Sequence, residues 1–200
     1  MKWPFQTLEI NWAAGGLFAA LFLQALYFIA VGAWSEVFVV VAASVFSLAP
    51  YVVSQYVAVR PNQTILSGIV VFVFSTLVLG EIHKFYSVFI WWDIFLHAIA
   101  GVGLALLGYV WIYNLIHEGV VAARPVLYSL MIFCASVTAL TIWEVYEFGI
   151  DQLGWSTNRM QPSLFDTMTD IAVGLAGALL ICVGGYLLLR KKNSVQHLIT

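Results

Sequence analysis

Apolar residues gather in six long blocks, roughly at 10–33, 36–59, 64–82, 91–114, 125–149 and 168–189. Each is close to the ~20 residues an α-helix needs to cross a bilayer. Short polar breaks separate them: Trp34-Ser35-Glu36, Arg60-Pro61-Asn62-Gln63, Glu81 to Tyr86, His117 to Pro125 and Asp151 to Ser163. No break is long enough to set off a second domain. The pattern therefore predicts an all-α, polytopic membrane protein: a six-transmembrane-helix bundle forming a single membrane domain over 1–200. The first block exceeds the ~7–15 apolar residues of a signal peptide, and Glu9 precedes it, so it is expected to remain as an uncleaved first helix.

Composition agrees with this reading. The chain is 62% hydrophobic and 9% charged, with mean hydropathy +0.97. A soluble domain has about 45–50% apolar and about 25% charged residues, so this chain lacks the polar residues to cover a soluble globule. Soluble enzymes, secreted disulfide scaffolds, nucleic-acid binders and disordered proteins are excluded. The net charge of −2 argues for no partner. Cys134 and Cys182 lie mid-block and read as small core hydrophobes, not as a disulfide or metal pair.

Lys and Arg set the expected orientation, because cytoplasmic loops are enriched in them. Six helices put both termini on one side. That side holds Lys2, Arg60, Arg124, Arg190, Lys191 and Lys192, against Lys84 and Arg159 opposite. The prediction is both termini cytoplasmic, in a cell inner (plasma) membrane. Trp34, Trp91, Trp92, Trp143 and Trp155 then fall at the outer interface, and Trp3, Trp12 and Trp111 at the inner one, as amphipathic rings prefer.

On this topology the acids are unevenly placed. Glu36, Glu81, Asp93, Glu144, Glu147, Asp151, Asp166 and Asp170 are outer, and only Glu9 and Glu118 are inner. Asp93 and His97 are four apart and share a helix face. So do Glu144, Glu147 and Asp151, at spacings of three and four, and Asp166 with Asp170. Small residues continue two of these faces, Gly101, Ala105 and Gly108 after His97, and Gly174 and Gly177 after Asp170. Small residues mark close helix contact in membranes, so the three polar faces should converge, with Thr138 and Thr141 extending the middle one. Charged groups one turn inside a helix end are costly, and so many like charges require protons or a bound cation to balance them.

The chemical expectation is a divalent metal site. Asp93, His97, Glu144, Asp166 and Asp170 are the candidate ligands. Glu147 or Asp151 would serve as general base and Arg159 as anion holder. Carboxylates with one imidazole suit Zn, Mg, Mn or Fe, and the residue types alone do not separate them. The competing structural expectation makes Asp93 and Asp166 helix N-caps and the remaining acids rim residues, with Glu36 and Glu81 solvated. His83 and Lys84 are weaker candidates. The chain has no Gly-rich phosphate loop, HExxH, GxSxG or paired-Cys motif.

Three stretches, WWDIFLHAIAGVGLALLGY, WEVYEFGIDQLG and DTMTDIAVGLAGALL, resemble the YjdF-type family of bacterial inner-membrane proteins, which is similar to the broader VanZ-like group. The resemblance covers about residues 90–180. It implies a membrane protein of the cell envelope and points to the same site residues. Relative to the VanZ-like pattern, Glu147 stands where Gln is common and Asp170 where Asn is common, so this site is more acidic and favours a cation.

Three functions remain open on the sequence. The first is a metal-dependent membrane hydrolase or transferase acting on a lipid-linked or amphipathic envelope substrate. The second is a small cation- or proton-coupled transporter. The third is a non-enzymatic envelope factor with a structural polar cluster. The bilayer is the one expected partner; nucleic acid is not expected, and the oligomeric state is left open.

Overall fold

The computed structural model describes residues 12–53, 63–117, 119, 124–154 and 160–196. The elements are α1 (Trp12–Val31), α2 (Trp34–Val53), α3 (Gln63–Val73), α4 (Phe85–Val88), α5 (Trp92–His117), α6 (Pro125–Leu153) and α7 (Leu164–Gln196). A π-helical segment, Phe74–Ile82, continues α3 directly. No strand occurs among the described residues. Among the described residues, six helices are long and apolar enough to cross a membrane, α3 and its π-helical extension counting as one. The predicted architecture is all-helical as expected.

Local chemistry sets the helix ends. Pro125 sits in the first turn of α6 behind an extended Arg124, where its missing N–H is not needed. Gly154 closes α6 at φ +65° and returns its N–H to the Asp151 and Ile150 carbonyls, a conformation that favours glycine. Helix α7 starts at Leu164, four residues earlier than the hydropathy block. Ser163 is the reason: its Oγ accepts the Asp166 N–H at 3.1 Å, which satisfies one of the free donors of the first turn.

The chain divides into two compact units between Trp92 and Asp93. In the first unit, Ala14, Tyr51, Leu66 and Val70 form one core cluster, and Leu21, Val40, Ala43 and Val78 another. Phe18 touches both and meets the Tyr51 ring edge-on at 6.5 Å.

In the second unit α5, α6 and α7 pack around Ala105, Ile112, Tyr128, Ile132, Ala178 and Cys182. Cys182 is buried as expected, but Cys134 is exposed on the outside of α6, and both are free thiols. Glycines bring α5 and α7 into backbone contact. A Cβ on Gly101 would collide with the Gly174 carbonyl, and one on Gly177 would lie 2.5 Å from the Ala98 carbonyl oxygen. The small-residue faces read from the sequence thus meet each other.

Polarity is inverted relative to a soluble protein. Phe38, Ile90, Phe165 and Leu188 are exposed, while His97, Glu144, Glu147 and Asp170 are buried. Hydrocarbon offers no hydrogen bonds, so polar groups must find partners within the protein. Hydroxyls do so locally: Ser44, Ser67, Thr76, Ser136, Thr138 and Thr141 each donate to the carbonyl four residues back. Thr138 and Thr141 are exposed and do not extend the polar face of α6. That face runs instead through Ser129, Ile132, Ser136, Leu140, Glu144 and Glu147. The i,i+4 row down from Glu144 passes through 140 and 136, so 141 and 138 fall to its side.

One hydroxyl ties all three helices together. Tyr109 of α5 donates to the Cys182 carbonyl of α7 at 3.0 Å, and its oxygen lies 2.6 Å from Ser129 Oγ of α6. Tyr109→Phe is expected to lower stability by about 0.6–1.5 kcal/mol, measured by thermal unfolding in detergent, while leaving metal binding at the site described next unchanged.

Candidate metal centre

The predicted faces on α5, α6 and α7 converge on His97. It is buried and reaches carboxylates from all three helices. Its Nδ1 lies 3.2 Å from Asp93 Oδ1 on its own helix and 3.5 Å from Asp170 Oδ1 on α7. Its Nε2 lies 3.0 Å from Glu144 Oε1 on α6. Side-chain exposure is 7% for His97, 4% for Glu144 and 3% for Asp170, but 29% for Asp93. Of these four side chains, Asp93 is the one that reaches the surface.

The two ring nitrogens face different groups. On the Nδ1 side, one atom each from Asp93, His97 and Asp170 lies within 4.8 Å of the others, close enough to share one ion. Glu144 stands on the opposite side of the ring. One carboxylate oxygen on this side, Asp170 Oδ1, is buried without a hydrogen bond. An unsatisfied buried carboxylate oxygen is expensive, and an ion would satisfy it.

Neither Asp93 nor Asp166 caps a helix, so the structural expectation for these two is corrected. Asp93 is inside the first turn of α5, and Asp166 inside the first turn of α7 behind Ser163. Both positions still suit a carboxylate, because the helix N-terminus carries partial positive charge. Asp166 is half-buried one turn before Asp170.

Glu147 is buried one turn beyond Glu144, and its Oε1 accepts the Trp143 indole N–H at 2.8 Å. Asp151 is committed elsewhere: its two oxygens accept the backbone N–H groups of Met160 and Gln161, each at 2.9 Å. Arg159 lies outside the described residues. His83 and Lys84 are exposed and belong to the first unit.

Gln161, which the sequence reading passed over, reaches into this cluster. Its side-chain amide donates to the Glu144 carbonyl at 2.7 Å and to Glu144 Oε2 at 2.9 Å. An interaction spanning 17 residues across a loop has no periodicity to betray it. The one signal was a long amide side chain in the segment joining the two acidic helix ends.

The family match spans residues 12–191, from α1 into the last turns of α7. The chain belongs to the family of predicted membrane proteins DUF2238. With its six apolar helices, this DUF2238 protein is a multi-pass membrane protein. No curated protein and no solved structure matches it.

Proposed function

We propose that this DUF2238 protein is a metal-dependent membrane enzyme that catalyses hydrolysis or group transfer on an amphipathic, lipid-linked substrate of the cell envelope. The observation that carries the reading is the buried, unbonded Asp170 Oδ1 facing His97 Nδ1 and Asp93. One imidazole and two carboxylates with an open position are a donor set that a divalent ion such as Zn²⁺ or Mn²⁺ can take. A bound divalent ion there would supply Lewis acidity.

The remaining roles follow from what each side chain touches. Glu144 holds the ring from the Nε2 side, in the manner of the carboxylates that fix metal-bound histidines. Glu147 is the proposed proton acceptor, since only its Oε1 is taken by Trp143. Asp166 supports Asp170 from the preceding turn. Asp151 leaves the chemistry and anchors the loop. Arg159 keeps its proposed role as holder of the substrate's anion. Membership of the YjdF-type or VanZ-like group, an inner-membrane location, and an outward-facing site with both termini cytoplasmic all belong to this proposal.

Packing beneath the site supports an enzyme over a transporter. The α5 and α7 backbones touch at Gly101 and Gly174, and a Cβ on Gly174 would come 2.9 Å from Leu140 Cδ1. Leu140, Ala105, Ile132 and Ala178 continue the buried interior below, and the Ser136 and Ser129 hydroxyls within it are bonded to carbonyls of their own helix. A polar route through this unit would have to pass these apolar contacts, whereas an enzyme needs access only from the side of Asp93.

Elemental analysis of detergent-purified protein tests the reading. About one equivalent of a single divalent metal is expected, and the Asp93→Asn/Glu144→Gln variant should lose it. Protein prepared without chelator that holds no metal, and takes up none on addition of Zn²⁺ or Mn²⁺, overturns the proposal.

A further inference from the structure

We infer that Gln161 and Asp151 form a latch that holds the Glu144 carboxylate against His97 and so fixes the imidazole ring at the metal centre. This rests on the metal reading above and assigns Gln161 as a positioning residue acting through Glu144.

The latch is a chain of contacts from the loop to the ring. Asp151, in the last turn of α6, clasps the backbone N–H groups of Met160 and Gln161, one with each carboxylate oxygen. That clasp fixes where the Gln161 side chain starts. The Gln161 amide then bonds both the Glu144 carbonyl and Glu144 Oε2. With Oε2 held, the carboxylate has little freedom to rotate, and Oε1 stays 3.0 Å from His97 Nε2.

The consequence is chemical. A carboxylate accepts hydrogen bonds and cannot donate them when ionised. Held against Nε2, Glu144 therefore fixes the ring from that side. Nδ1 is thereby kept facing the Asp93 carboxylate and backbone carbonyl and Asp170. Which imidazole nitrogen binds a metal is set by what the other one bonds. Without the latch the Glu144 side chain can turn away, and the ring loses its hold on the Nε2 side.

The alternative is that Gln161 merely closes the loop over the helix ends. The two ideas differ in what happens when Glu144 is altered. In Glu144→Gln the carboxylate that the latch orients is gone, so the gain from the latch is already lost.

The test is a double-mutant cycle on Zn²⁺ affinity, measured by competition with a chromophoric chelator on the full chain in detergent. Gln161→Met keeps the length and removes the donor. It should weaken Zn²⁺ binding about 10–100-fold, the usual effect of removing a partner behind a metal ligand. Added to Glu144→Gln, it should weaken binding no further. Asp151→Asn, which retains one acceptor oxygen, should weaken binding in the same direction.

Three results overturn the latch. Gln161→Met that binds Zn²⁺ like the wild type removes Gln161 from the site while leaving the metal reading intact. An equal loss in the wild-type and Glu144→Gln backgrounds makes its role independent of Glu144. A wild type that binds no Zn²⁺ or Mn²⁺ removes both readings together. Thermal unfolding of the metal-free variants controls for folding, and a variant that does not fold is replaced by Gln161→Leu in the same cycle.

Discussion

Alanine at position 101 should prevent the second unit from packing. The added methyl group would meet the Gly174 carbonyl, and neither partner is a flexible side chain that can step aside. Overpacked cores typically lose 1–3 kcal/mol, and sometimes more. Here relief requires parting two helix backbones, so the loss should exceed about 3 kcal/mol. Gly103→Ala is the control. It lies two residues away on the same helix with nothing within 4 Å of its Cβ direction. Thermal unfolding in detergent should show Gly103→Ala close to wild type and Gly101→Ala unfolded or strongly destabilised. Equal melting of the two would mean that α5 and α7 are not in backbone contact.

Asp170→Asn should have opposite effects on metal binding and on stability. Three carboxylates surround one imidazole, so the cluster carries excess negative charge when all four groups are ionised. Removing one buried charge relieves that repulsion, and metal-free Asp170→Asn should melt no lower than the wild type. The same change removes a ligand. Zn²⁺ at about 100 times its dissociation constant stabilises a protein by about 2.7 kcal/mol, and this gain should disappear in the variant. A purely structural Asp170 gives the reverse pattern: lower stability without metal and no Zn²⁺ response in either protein.

Much of this architecture is legible in the sequence because a bilayer imposes long-range order on it. Helix length must match membrane thickness, so apolar block length locates all six spans. Helical spacing does the same for the site. Asp93 with His97, Glu144 with Glu147, and Asp166 with Asp170 each share a face, and the glycines below them mark which faces meet. Periodicity does not tell which carboxylate oxygen faces which ring nitrogen. The residue types group Glu144 with Asp93 and Asp170 as ligands of one ion, whereas the ring separates them. Periodicity also places Asp151 with Glu147 on one face, although the loop claims both Asp151 oxygens. Ser163 and Gln161 were missed because their roles depend on how a loop turns rather than on a helical period. Thr138 and Thr141 misled because a hydroxyl bonded to its own helix sits comfortably on the lipid side.

The glycine contact between α5 and α7 also decides which parts of the second unit can move. Two helices joined backbone to backbone behave as one stiff body, since sliding them means lifting one off the other. Asp93, His97 and Asp170 ride on that body and keep their spacing. Glu144 rides on α6, whose contacts are made by deformable side chains such as Leu140 and Ile132. Breathing of the site thus falls to α6 and to the loop that Asp151 fastens to it, so that the site has a fixed half and a yielding half.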